Sequence, residues 1–221
     1  MKRGFTLAEV LITLGIIGVV AALVLPGVIK GYQRKVMKTQ FDKAVSVINQ
    51  AVTRMQDDVG GDLWGTYYQP WNQKGAELRK HFYSYLSGTL ETRTKTKDVN
   101  PYYVSLKGST TTMHYCPAGC CSNPVFNSFI SSDGIMYNVC TRGNVINIPF
   151  DINGNDRGPN KWGIDLFDFD YTSANKLTNN YTDRGGCYAY YKNSTSSNVN
   201  DGISCTHAAM KDPKYFDKID F

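Results

Sequence analysis

The sequence predicts an α+β protein in which a long amino-terminal helix, with a membrane half and an amphipathic half, packs on an antiparallel β-sheet. Three observations support this fold class: an apolar run from Phe5 to Ile29, an apolar stripe at helical spacing that continues to about Val59, and alternating apolar residues in the second half of the chain. A length of 221 residues suits one globular domain with an appendage better than two domains with separate cores.

Composition excludes a disordered chain and a protein with many membrane spans, because hydrophobic residues make up 42%, charged residues 19%, and the mean hydropathy is −0.35. The net charge of +5 comes from 24 Lys and Arg against 19 Asp and Glu, without the basic tracts of a dedicated nucleic-acid-binding protein. Nucleic acid is therefore not expected as the main partner, although charge alone leaves it open. All six cysteines lie beyond Tyr115, which indicates folding in an oxidising compartment.

The run from Phe5 to Ile29 contains Glu9 as its single ionisable side chain. About 20 residues at a rise of 1.5 Å cross a hydrocarbon core of roughly 30 Å, so this run predicts one membrane helix. Residues 1–4 come before it, and residues 30–221 are expected to form the globular domain, which begins with the continuing helix.

Three interpretations of this segment compete. The first is a secretory signal that is cut before Ala22, with Val19 and Ala21 as the small residues. The second is a plain membrane anchor. The third is a helix whose buried carboxylate has a designated partner. A carboxylate in the apolar run costs about 2.5–3.5 kcal/mol on insertion scales, which neither of the first two explains. A cationic amine from another subunit would neutralise Glu9, so the third interpretation predicts self-assembly through the helix.

The stretch KRGFTLAEVL, from Lys2 to Leu11, resembles the processing and methylation signature of type IV pilins and type II secretion pseudopilins. The resemblance implies that a prepilin peptidase cuts between Gly4 and Phe5, which makes residues 1–4 a leader, and then methylates the amine of Phe5. It also implies that Glu9 pairs with the terminal amine of a neighbouring subunit, and that the fold is pilin-like. Helices of this family often loosen between a glycine and a proline, which here would be Gly18 and Pro26.

The resemblance further implies a single-pass protein of the bacterial inner membrane with a cytoplasmic amino terminus, later part of a periplasmic or extracellular filament. Charge counting favours the opposite orientation, because more cations follow the apolar run than precede it. These cations are Lys30, Arg34, Lys35 and Lys38 against Lys2 and Arg3. We follow the peptidase motif, which requires a cytoplasmic leader, and expect the later cations to pair with anionic headgroups of the membrane lipid.

The helix is expected to continue beyond the membrane to about residue 59, because apolar residues recur at steps of three and four. They are Met37, Phe41, Val45, Ile48, Val52, Met55 and Val59. Gly60 and Gly61 provide the stop. A coiled coil would need the heptads to go on, so the stripe is expected to pack on the chain's own sheet, as it does in pilins.

The segments after Gly61 are predicted as an irregular connection over Asp62–Gln73, a short helix over Ala76–Leu86 and a surface loop over Ser87–Asn100. Four strands follow, with turns at Asp133-Gly134 and Arg142-Gly143-Asn144, and together they predict an antiparallel meander. The strands are Val125–Ile130, Ile135–Cys140, Val145–Phe150 and Ile164–Asp170.

The cysteines predict disulfides. Cys116, Cys120, Cys121 and Cys140 have a C-x3-C-C spacing that fits no zinc ribbon or finger, so two bridges of open connectivity are favoured over zinc. The remaining pair, Cys187 and Cys205, flanks a Ser/Asn-rich stretch that has little apolar surface to order it. This pair resembles the carboxy-terminal disulfide of many type IV pilins, which delimits an exposed variable region, and the enclosed loop is the candidate contact surface.

The Gly-rich turn after the third strand places oxygen-bearing side chains at close intervals: Asp151, Asn153, Asn155 and Asp156, with Asp165 as a further candidate from the start of the next strand. Calcium prefers such oxygens. The turn departs from an EF-hand loop, since Asp156 stands where the glycine belongs and Trp162 where the bidentate glutamate belongs. An Asx-turn that satisfies its own backbone is the alternative. Some major pseudopilins hold calcium in a loop after the sheet.

No catalytic site is expected, because His81, His114 and His207 fall in no metal or nucleophile motif and are interpreted as surface or packing residues. We therefore expect a structural subunit that polymerises through its amino-terminal helix, with copies of itself and other pilins, into a type IV pilus or type II secretion pseudopilus. The alternatives are a minor pilin whose head is an adhesive or DNA-binding tip module, and a membrane-anchored hydrolase, for which the sequence offers no basis.

Overall fold

The structure is a computed structural model. It describes residues 4, 6–68, 74–86, 88–89, 102–103, 113–114, 129–142, 144–154, 157–178, 187, 202 and 205–219. The chain divides into two compact units, residues 1–36 and residues 37–221. The architecture is α+β and pilin-like, with a long amino-terminal helix and an antiparallel sheet, as the sequence predicts.

Helix α1 covers Leu7–Asp58 and is continuous across Gly18 and Pro26. Loosening of the helix between these two residues during assembly therefore stays a prediction. In the first unit, the apolar side chains of α1 are exposed on every side of the helix. Its most apolar 18-residue window has a mean hydropathy of 2.6, which with its length is sufficient to cross a membrane.

In the second unit α1 buries one stripe of side chains, and the stripe confirms the helical periodicity read from the sequence. The buried residues are Met37, Phe41, Ala44, Ile48, Ala51, Val52 and Met55. Val45 and Val59 are partly buried against them. The helix ends where predicted, because Gly60 and Gly61 have φ values of 72° and 96°, which side chains with a Cβ rarely adopt.

Two short helices follow α1. The connection predicted as irregular contains helix α2 over Leu63–Tyr67, because the Asp62 carboxylate accepts the Gly65 N–H at 2.8 Å and caps a new helical turn. Helix α3 covers Gly75–Ser84 and confirms the short helix predicted in this region.

The main sheet is antiparallel and has the strand order β1-β4-β5-β7-β8-β9, with β6 also paired to β7. A separate two-stranded sheet pairs β2 with β3. The strands of the main sheet are β1 Gly88–Thr89, β4 Phe129–Ser131, β5 Met136–Tyr137, β6 Cys140–Arg142, β7 Val145–Asp151, β8 Leu166–Thr172 and β9 Lys176–Thr178. Those of the small sheet are β2 Tyr102–Tyr103 and β3 Met113–His114.

The strand order of the predicted antiparallel meander is confirmed, but several of the predicted strand bounds are wrong. The strand predicted over Ile135–Cys140 is two strands, and both pair with β7. The break occurs at Asn138, whose side-chain oxygen accepts the N–H of Val139 at 2.8 Å and so competes with the ladder. Strand β8 starts at Leu166 rather than Ile164, and β1 lies inside the predicted surface loop. Residues 125–128 of the first predicted strand lie outside the described residues.

The carboxy-terminal segment closes the core with helices α4 over Cys205–Lys211 and α5 over Tyr215–Lys218, neither of which the sequence predicted. Phe41 lies at the centre of an aromatic cluster, with ring centroids 4.7 Å from Phe167, 5.7 Å from Phe216 and 6.1 Å from Phe150. The cluster thus joins α1, two central strands and α5 in one core.

Helix α4 also covers one edge of β8. The Thr206 hydroxyl accepts the N–H of Asp168 at 3.1 Å and donates to the Asp168 carbonyl oxygen at 2.8 Å. Strand β9 pairs only with Asp170–Thr172 of β8, so Thr206 satisfies backbone groups that this strand does not reach.

Candidate functional site

The first turn of α1 is built around Glu9. Its Oε2 accepts the N–H of Thr6 at 2.8 Å and the hydroxyl of Thr6 at 2.7 Å, while the Glu9 N–H points to Thr6 Oγ1 at 3.3 Å. This reciprocal arrangement is a capping box, in which Thr6 begins the helix and Glu9 closes its first turn. The Thr-x-x-Glu pattern is present in the sequence, but the role of Thr6 was not predicted from it. Glu9 was explained only by a pair with the amine of another subunit.

The residues that follow Glu9 present an apolar surface with no charge. Large apolar side chains between Leu7 and Ile29 are at least 42% exposed, and Glu9 is the only ionisable residue in this segment. A soluble helix would bury or charge part of such a surface. The surface therefore fits the lipid of a membrane or the apolar helix of another subunit.

Gly4 stands directly before this segment and is exposed. A Cβ built on Gly4 would meet nothing within 4 Å, so packing does not require a glycine at this position. Phe5, the predicted new amino terminus, lies outside the described residues.

A family model for the prokaryotic N-terminal methylation motif matches residues 1–25. This motif is the signature of type IV pilins and pseudopilins. In pilins it implies processing by a prepilin peptidase and assembly with other pilins, and the apolar α1 segment fits anchoring in the inner membrane. No curated protein and no solved structure matches the chain.

The pilin-like domain carries a second candidate site at the turn after β7. The Asp151 carboxylate is fully buried, and its Oδ1 accepts the N–H groups of Asn153 at 3.0 Å and Gly154 at 2.8 Å. This is an Asx-turn, so the alternative named from the sequence describes the local geometry. Gly154 has a φ of 78° and suits the sharp turn.

The structure brings Asp165 to the same turn, because the Ile152 N–H bonds the Asp165 carbonyl oxygen at 2.8 Å. The Asp165 carboxylate accepts the N–H groups of Asn160 at 2.8 Å and Lys161 at 2.6 Å. Burial raises the pKa of Asp165 above its ordinary value, although these N–H groups and the Asn153 side chain oppose the shift. Burial is the larger effect, so the site favours the neutral form of this carboxyl over its charged form.

Asn153 Oδ1 is a buried oxygen in this turn with no hydrogen-bond donor among the described residues. Asn155 and Asp156, the other two predicted ligands, lie outside those residues. The described part of the chain contains no group of three or more His, Cys, Asp or Glu arranged around one metal position. Of the predicted calcium ligands, Asp151, Asn153 and Asp165 lie within the described residues.

The predicted bridge between Cys187 and Cys205 is present, with Cα atoms 4.8 Å apart and both residues buried. It joins residue 187 to the first residue of α4, across a separation of 18 residues. A loop of about this size contributes roughly 3 kcal/mol in the chain-entropy model. Gly163 fits closely beneath the bridge, since a Cβ there would lie 2.8 Å from Cys205 Sγ.

The structure describes only some of the other predicted site residues. Cys140 is buried in β6, whereas Cys116, Cys120 and Cys121 lie outside the described residues, so their connectivity stays open. His81 has a packing role, because Nδ1 lies 2.6 Å from the Tyr67 hydroxyl and Nε2 lies 3.1 Å from Asp58 Oδ2.

Proposed function

We propose that the protein is a structural subunit that polymerises through the apolar half of α1 into a type IV pilus or a type II secretion pseudopilus. The observation that carries this proposal is a methylation motif that leads directly into an apolar helix with exposed side chains and one carboxylate near its start. The subunit is held in the inner membrane before assembly, with its leader in the cytoplasm. Copies of itself and other pilins are its partners in the filament.

The assembly step follows from the chemistry of Glu9. Cleavage before Phe5 would create an amine next to the helix start, and a neighbouring subunit would present the same amine to Glu9. The ion pair would remove an isolated charge from the apolar interface, while the exposed side chains from Leu7 to Ile29 bury one another.

Processing is tested by intact-mass analysis of the mature protein. We expect a chain that starts at Phe5 and carries one added methyl group. Gly4→Leu should retain the full leader and still fold, because a side chain at residue 4 meets nothing within 4 Å. Gly15→Ala is the matched control, since residue 15 is equally open, and it should be processed normally. A mature wild-type chain that starts at Ala22 would contradict the proposal.

A tip module for adhesion or DNA binding is the alternative form of this function. The Cys187–Cys205 bridge ties both ends of a Ser/Asn-rich loop, which favours a contact surface there. Between the two cysteines the sequence has Lys192 as its one cation and Asp201 as its one acid. This loop therefore favours a neutral polar target over DNA.

We also propose that the turn after β7 binds calcium through Asp151, Asn153 and Asp165, with Asn155 and Asp156 as further ligands. The two buried carboxylates and the unbonded Asn153 oxygen support this proposal, and Lys161 is the competing cation, because the Asp165 charge acts on it. Calcium would neutralise Asp165 and hold the turn without a chemical step.

The calcium proposal predicts a metal-dependent melting temperature. Calcium at a hundredfold excess over its Kd should add about 2.7 kcal/mol of stability, which raises Tm by roughly 5–10 °C for a domain of this size. Asp151→Asn keeps an oxygen for the Asx-turn but removes a charge, and it should abolish most of the rise. Asp217→Asn, at an exposed position of α5, should keep it. If the wild-type Tm did not respond to calcium, the calcium proposal would be wrong and the turn would be a simple Asx-turn.

A further inference from the structure

A cavity of about 310 Å³ lies between the second half of α1, the residues after α3 and the β4–β5 turn. Helix α1 lines it with one face, at steps of three and four residues: Lys43, Val47, Gln50 and Arg54. Its volume is at the lower end of the roughly 300–1,000 Å³ typical of small-ligand sites. The cavity therefore has room for a side chain of a partner or for a small molecule.

The cavity carries a net positive charge. Lys43 Nζ pairs with Asp133 Oδ2 at 2.5 Å, so these two charges compensate each other. Burial favours the neutral form of Asp133, but hydrogen bonds from Lys43 and Ser131 outweigh it and hold the pKa of this carboxyl below its ordinary value. Arg54 also lines the cavity and has no acidic partner among the residues that the structure describes. The Arg54 guanidinium therefore supplies the net positive charge of the cavity.

Tyr137 supplies a second polar group. It lines the cavity, is only 1% exposed, and its hydroxyl bonds no other residue in the described part of the chain. Burial, together with the nearby Asp133 carboxylate, raises the pKa of Tyr137, so the hydroxyl remains a donor. A hydroxyl that bonds no described residue is available to donate to a ligand in the cavity.

One wall of the cavity is held in place from behind. Tyr85 lines the cavity, and its hydroxyl donates to Asp58 Oδ2, which also bonds His81 Nε2 at 3.1 Å. These contacts join the end of α1 to α3. A wall fixed before binding lowers the entropy cost of holding a ligand.

We propose that this cavity binds a carboxylate that belongs to a protein partner, namely an acidic side chain of a peptide segment. Arg54 would pair with the carboxylate, Tyr137 would donate to it, and the aliphatic stem would lie against Val47 and Leu86. A peptide is favoured over a free acid, because its backbone can add hydrogen bonds to neutral polar groups that line the cavity. The exposed Ser132 and Gln50 provide neutral hydrogen-bonding groups there.

The test is a ligand-detected NMR titration of the full-length protein in detergent micelles. The probes are acetyl-Ala-Glu-Ala-amide, its Gln counterpart and acetate. We expect the Glu peptide to bind about tenfold more tightly than the Gln peptide. Arg54→Gln should weaken Glu-peptide binding about tenfold, and Tyr137→Phe, which keeps the ring, should weaken it several-fold. Lys80→Gln removes the same charge at an exposed position of α3 and should leave binding unchanged.

Three results would overturn the proposal. Equal binding of the Glu and Gln peptides would show that the cavity does not select a carboxylate. An equal loss in Lys80→Gln and Arg54→Gln would show attraction by overall charge rather than by the cavity. Acetate that binds as tightly as the peptide would make the site one for free acids, and the assignment to a protein partner would be wrong.

Discussion

Glu9→Ala is expected to leave the membrane-inserted subunit stable and to weaken its association into filaments by roughly a hundredfold or more. Removing one partner of a desolvated ion pair costs about 3–5 kcal/mol, because the remaining charge is left buried and unpaired. The monomer loses only the bonds from Thr6 to Glu9, which are at an exposed helix start and contribute little to the globular domain. Shear fractionation would measure the share of the protein in filaments, and a membrane fraction would measure the monomer.

Two further variants make the Glu9 experiment specific. Glu9→Gln keeps an oxygen that can accept from Thr6 but carries no charge, so it should also fail to assemble. Thr13→Ala removes a polar group one turn further along, where the Thr13 hydroxyl only donates to the Val10 carbonyl oxygen, and it should assemble normally. Incorporation of Glu9→Ala at the wild-type level would disprove the proposed pairing with the Phe5 amine.

Phe41→Ala is expected to lower the free energy of unfolding of the globular domain by about 3–5 kcal/mol. Phe41 is 1% exposed and contacts rings from β7, β8 and α5, so truncation opens a cavity where four elements meet. A loss of this size would lower Tm by roughly 6–20 °C. Urea unfolding of the full-length protein in detergent, followed by near-ultraviolet circular dichroism, would measure the change in midpoint.

Lys38→Ala is the control for Phe41, because it lies on the same helix and removes only an exposed ion pair with Asp42. Such a pair contributes about 0–1 kcal/mol. If both variants lowered the midpoint equally, the aromatic cluster would not be the centre of the core.

The parts of the fold that depend on local chemistry could be predicted from the sequence. The stripe from Met37 to Met55 and the stop at Gly60-Gly61 are properties of consecutive residues, so α1 was predicted almost to its end. Strand β7 was predicted within one residue for the same reason, since apolar and polar residues alternate along it.

The parts of the fold that depend on contacts between distant residues could not be predicted from the sequence. Helices α4 and α5 have seven and four residues, too few for a periodic signal, and they are ordered by the bridge at Cys205 and by the contacts of Phe216 with Phe41 and Phe167. The capping role of Thr6 could have been found from Thr-x-x-Glu. The cavity proposed to bind a carboxylate could not be predicted, because Arg54 and Tyr137 are 83 positions apart and only the fold brings them together.

The Thr206 contact with Asp168 has a consequence for the proposed filament, in which copies of the chain would lie close together. A sheet edge with open N–H and C=O groups is a template on which another chain can add a strand, and irregular aggregation starts in this way. Thr206 occupies both backbone groups of Asp168 on the edge of β8 that β9 does not cover. Growth by sheet extension is thereby blocked at this residue, and in the proposed filament this would leave association to the helices and disfavour amyloid-like growth.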